Sequence, residues 1–107
     1  MKIYYIPFGL ATMFPVTVDS ISDPMRIGLV HKDDWRLTRA LNMIDASGAG
    51  SFDGMAVRAK FEFPDGRSIF IDNRGGVLLP TSAEKHLNSQ RLTVMGRFIM
   101  QMTQNRT

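Results

Sequence analysis

The hydrophobic and polar positions of this chain change period along its length, and each change marks an element. Between Met55 and Phe63 the apolar residues Met55, Val57, Ala59, Phe61 and Phe63 alternate with Ala56, Arg58, Lys60 and Glu62. That is the period-two pattern of a strand with one oily face and one face toward water. Pro64-Asp65-Gly66 follows; proline presets φ for the first central position of a turn, and glycine tolerates a positive φ after it. The pattern resumes over Ser68–Asp72 with Ile69 and Ile71 on one face, which predicts a β-hairpin. Asn73-Arg74-Gly75-Gly76 makes a second turn and Val77-Leu78-Leu79 a third strand. The three strands form an antiparallel meander whose register is fixed by its oily face.

Elsewhere the pattern is shorter. Residues 2–6 are β-branched or aromatic on both faces and end at Pro7, which predicts a centrally placed strand. Residues 15–19 alternate in part behind Pro15 and suggest an edge strand, and Met25–Val30 another strand in which Gly28 marks a bulge or close approach. From Asp33 the period lengthens: Leu37, Ala40, Leu41 and Ile44 share one helical face, with Asp33 or Asp34 as cap and the glycines after Ser47 as terminator, giving a helix over 34–45. Thr81-x-x-Glu84 fits a capping box. Ser89 offers a second helix start, and Leu92, Met95, Phe98, Ile99 and Met102 form a stripe over 90–103 that covers the meander. Gly96 in that stripe either weakens the helix or admits a close approach. The expected architecture is one α+β domain over residues 1–107, an antiparallel sheet with helices on one face.

Composition supports a globular domain, because 44% hydrophobic and 21% charged residues are close to the folded norm. At 107 residues the chain suffices for one core and is short for two. No run is long and apolar enough to span a bilayer, and Pro7 and Gly9 interrupt the apolar start in a way that does not fit a secretory leader. With no cysteine there is no disulfide, thiolate metal site or cysteine nucleophile, so the cytoplasm is the default compartment. The net charge of +3 conceals an asymmetry: residues 1–54 carry five cations and six acids (−1), residues 55–107 eight cations and four acids (+4). The cations of the second half are scattered singly rather than clustered as nucleic-acid binders cluster theirs.

Candidate chemistry is sparse. His31 and His86 are the only histidines and have no metal-ligand spacing, so neither a metal nor a cofactor is expected. Gly48-Ala49-Gly50 and Gly75-Gly76 lack the flanking residues of a phosphate loop, and no serine stands in a nucleophile elbow, so no catalytic residue is assigned. Phe61 and Phe63 lie on the oily face, opposite Arg58 and Lys60, where rings pack a core rather than stack on bases. Trp35 falls off the stripe of its helix and, with Asp33 and Asp34 beside it, is the first candidate contact patch.

A cysteine-free α+β domain opening Met1-Lys2-Ile3-Tyr4-Tyr5-Ile6 and carrying Phe61-Glu62-Phe63-Pro64-Asp65-Gly66-Arg67-Ser68-Ile69-Phe70-Ile71-Asp72-Asn73-Arg74-Gly75-Gly76 resembles the immunity proteins of bacterial contact-dependent growth inhibition systems. The resemblance covers the hairpin and terminal helix better than residues 7–54. It implies a cytoplasmic inhibitor rather than an enzyme, one that binds the C-terminal toxin domain of a sibling effector, often a nuclease acting on tRNA, and occludes its active site. It implies no cofactor, membrane or direct nucleic-acid contact. Because nuclease toxins tend to be basic, the acidic half supplies the candidate partner-binding residues Asp19, Asp23, Asp33, Asp34 and Trp35. Two alternatives stand beside this reading. One is a nucleic-acid-binding or regulatory domain using the outer hairpin face, Arg58, Lys60, Arg67 and Arg74. The other is a small enzyme assembled from residues such as His31, Asp72 and His86.

Overall fold

The fold is known from a computed structural model that describes residues 1–22, 27–30 and 33–104. Its strands are β1 (Lys2–Tyr5), β2 (Ile27–Leu29), β3 (Gly48–Ala49), β4 (Val57–Glu62), β5 (Ser68–Asp72), β6 (Gly76–Leu78) and β7 (Glu84–His86). Two helices, α1 (Trp35–Asp45) and α2 (Ser89–Gln104), complete the set. Among the described residues the strands form one sheet in the order β2-β1-β4-β5-β6-β7-β3, with every neighbouring pair antiparallel. This is the expected α+β class. β1, apolar on both faces, lies between β2 and β4, and the meander β4–β5–β6 follows it.

The hairpin closes as its residues dictate. Gly66 donates its N–H to the Phe63 carbonyl at 2.9 Å and adopts φ +92°, a left-handed conformation that costs glycine nothing. One sheet face carries Ile3, Ala59, Phe61, Ile69, Ile71 and Val77, buried beneath Leu37, Ala40 and Ile44 of α1 and Met95, Ile99 and Met102 of α2. Both helices therefore lie on one side, as their stripes predicted. Gly28 admits α2 closely: a Cβ there would sit 2.5 Å from Thr103 Cγ2 and 2.8 Å from Thr103 Cβ.

The other face departs from expectation. It is not open to water: Tyr4, Ile6 and Val57 pack with Val16 and Ile21 into a second core, with Val18, Phe52 and Phe70 at its margin. Residues 15–19 supply this cover instead of an edge strand, and only Val16 bridges the sheet, at Ala56. A one-turn 3₁₀ helix, Ser20–Ser22, carries Ile21 into that core. The signal was the apolar residues of opposite parity, Tyr4 and Phe70, which one strand at a time reads as incidental.

Three local expectations are also corrected. Thr81-x-x-Glu84 starts no helix. Ser82, at φ +70°, donates to the Leu79 carbonyl, and the Leu79 N–H donates to Ala83 across a β6–β7 hairpin; pairing the exposed edge of β6 outweighs a single helical turn. Glu84 instead accepts the Phe52 N–H at 2.7 Å. Asn88 rather than Ser89 caps α2, its side-chain oxygen accepting the Arg91 N–H at 2.8 Å. Gly48 does not merely end α1, since Gly48–Ala49 pairs with β7 as the outermost strand. The last carbonyls of α1 are met by Lys85 Nζ, 2.7 Å from the Asp45 oxygen, a cation at the negative end of the helix.

Candidate functional site

Of the expected contact patch, the structure builds the α1 corner. Asp34 is the N-cap: Oδ1 accepts the Arg36 N–H at 2.9 Å, and the carboxylate also grips the Arg36 guanidinium, with Nη2 2.8 Å from Oδ2. Its charge is thus spent on holding the helix start. The carboxylate in turn raises the Arg36 guanidinium pKa above its ordinary value, chiefly through their hydrogen bond. Trp35, the next residue, is held on this rigid first turn with its side chain outward, 62% exposed. Its ring meets Phe98 of α2 edge-on at 5.8 Å and 80°. Asp33 beside it is exposed.

The remaining acids do not join it. Asp19 lies with Val18 and Ile21 over the second core, on the sheet face opposite α1. Asp23 and His31 lie outside the described residues. The structure brings together Asp33, Asp34 and Trp35 and separates Asp19 from them.

The outer hairpin face is not a row of exposed cations. Arg58, beside a register shift between Val57 and Ala59, is 5% exposed and donates to the Leu10 and Val57 carbonyls. Lys60 is wedged between its cross-strand neighbours Tyr4 and Phe70, with Nζ 5.4 Å and 5.7 Å from the ring centroids and 2.9 Å from Ser22 Oγ. Its side chain is 15% exposed. Arg67 is paired with Asp65 in the turn at 2.7 Å; the Arg67 main-chain N–H, and then its guanidinium, hold the Asp65 carboxyl below the usual carboxylate range. Arg74 is exposed.

Two of the surface concavities bear on possible chemistry. A polar one of about 250 Å³ is walled by Ser51, Asp53, Asp72, Arg74 and His86. Gly76 is the cross-strand partner of His86, and the place of its missing side chain is taken by the Asp72 carboxylate and the Ser51 carbonyl. The Asp72 carboxylate, 3% exposed, accepts the main-chain N–H groups of Asp53, Arg74 and Gly76, each at 2.8 Å, and none of its hydrogen bonds joins His86. It works as a fastener for the loop over β5 and β6. Among the described residues no three histidine, aspartate or glutamate side chains gather as a metal site would require.

The larger concavity, about 450 Å³, is an open groove between the end of β1 with the Pro7–Gly9 turn and the outer flank of α2. Tyr5 and Phe8 meet edge-on at 5.3 Å, and a Cβ at Gly96 would stand 3.2 Å from Tyr5 Oη and 3.3 Å from the Phe8 ring. Gly96 is therefore the close-approach glycine. Burial pushes the Tyr5 hydroxyl above its ordinary pKa, partly offset by the Phe8 N–H. Because the neutral form is favoured only in the folded state, this group leaves stability untouched below the ordinary tyrosine range and erodes it as pH rises through that range. Titration of tyrosinate absorbance is expected to show a late-ionising step that Tyr5→Phe removes; an unchanged curve in Tyr5→Phe would contradict this burial.

No protein-family model matches the chain, and neither curated proteins nor solved structures supply a match. Among the described residues no helix is long and apolar enough to cross a membrane.

Proposed function

We propose that this protein is a binding module that acts by shape, in the manner of a contact-dependent inhibition immunity protein: in the cytoplasm it covers the active surface of an effector's C-terminal toxin domain. The observation that carries this reading is Trp35. A large ring left 62% exposed on the first turn of a capped helix, braced by Phe98, is a preorganised anchor. Little side-chain freedom is left to lose on association, and a tryptophan seated in a partner's pocket dominates interface energies. Asp33 beside it supplies the electrostatic match to a basic partner.

The experiment is co-purification and titration with the C-terminal domain of the effector encoded beside this chain. Trp35→Ala is expected to weaken that complex by about 2 kcal/mol or more. The folding transition should move little, since the ring is mostly in water. Wild-type affinity in Trp35→Ala would remove the anchor from the interface, and no complex with the wild-type chain would remove the reading itself.

A further inference from the structure

The groove beside α2 lies on the flank opposite the Trp35–Phe98 contact: positions 93, 96, 97 and 100 line it, whereas Phe98 faces α1. Its body is apolar, formed by Phe8, Leu92, Gly96 and Met100, and among the described residues its one charged lining residue is Arg97. Arg97 makes no ion pair among the described residues. The sequence of α2, Ser89–Gln104, contains Arg91 and Arg97 and no carboxylate at all. Tyr5 Oη stands at the glycine floor, 3.2 Å from where a Gly96 Cβ would be. A volume of about 450 Å³ falls in the range of small-ligand sites, in which an apolar wall supplies affinity and a few polar groups fix orientation.

We propose that this groove binds a small amphiphilic carboxylate, a medium-chain aliphatic acid or a flat aryl acid, with its apolar body along Phe8, Leu92, Gly96 and Met100 and its carboxylate on Arg97. Complementarity sets the sign of the ligand: a guanidinium beside an apolar trough, with no acid in the lining, favours an anion over a cation or a neutral chain. The missing Cβ of Gly96 sets the depth. Nothing in this assignment depends on the Trp35 surface, so either can fail alone.

The test is a titration of the isotope-labelled full chain with decanoate, kept below its micelle-forming concentration, followed by amide chemical shifts. Saturable shifts are expected at Phe8, Gly9, Gly96 and Arg97. Arg97→Gln should weaken decanoate by about tenfold, the worth of one charge-assisted pair, and leave decanol unchanged. Met100→Glu, at an exposed position, should abolish decanoate binding while the rest of the spectrum stays native. Shifts confined to the exposed Leu10–Phe14 segment, equal losses for decanoate and decanol in Arg97→Gln, or no saturation would each overturn the proposal. So would co-sedimentation with phosphatidylglycerol vesicles without any response to monomeric decanoate, which would make the groove a membrane contact.

Discussion

Asp72→Ala is expected to destabilise the fold by about 3 kcal/mol or more, because it strips the acceptor from three main-chain N–H groups at once. The Gly76 N–H is buried and the Asp53 and Arg74 N–H groups are partly so, and among the described residues no other acceptor is paired with them. The Arg74 bond shapes the β5–β6 turn, the Gly76 bond starts β6, and the Asp53 bond ties down the loop that carries Phe52 against Phe70. Asp72→Asn keeps one carbonyl oxygen for Arg74 and Gly76 but turns an N–H₂ group toward Asp53, so an intermediate loss of about 1.5 kcal/mol is expected. Urea denaturation with an unchanged slope is the measurement, and proteolytic nicking in residues 51–55 should accompany it. Full stability in Asp72→Asn would show that the carboxylate is spare, and would return Asp72 and His86 to consideration as a reactive pair.

What could be read beforehand follows the distance over which the residues speak. The hairpin was legible because Val57, Ala59, Phe61 and the Pro64-Asp65-Gly66 turn specify one another within a few residues, and the helices because their stripes repeat over several turns. The second core was not, since Tyr4, Val57 and Phe70 come from three strands and the cover from Val16 and Ile21. No single window contains that pattern. The alternation places Arg58 toward water, yet it is buried, because the segment that carries Leu10 and Val16 lies over that face. At the α1 corner the off-stripe position of Trp35 predicted its exposure correctly. Asp34 suits both a cap and a partner contact by its sequence position, and the cap with Arg36 takes both carboxylate oxygens. The groove announced itself only through Gly96, a glycine in mid-helix whose reason lies on β1 and the turn after it.

Gly75→Ala is expected to cost about 3 kcal/mol or more, against about 1 kcal/mol for Gly66→Ala, and the difference separates two reasons for a glycine. Both residues hold positive φ, +96° and +92°. Around Gly66 a Cβ would meet nothing within 4 Å, so alanine there faces the left-handed penalty alone. At Gly75 the same atom would overlap the Leu87 carbonyl oxygen, which belongs to backbone and cannot swing away. Relief requires β6 to part from the β7–α2 junction, and that breaks the Leu87 N–H bond to the Gly75 carbonyl at 2.8 Å. Leu87 is fully buried and directly precedes Asn88, the α2 cap. The strain is therefore delivered to the start of the helix that walls the groove and braces Trp35. Thermal melts of the two single variants and their double should show additive losses, the sites having no shared partner. Equal losses at the two positions would mean that the junction yields without cost and that only conformation, not the close approach to Leu87, holds glycine at position 75.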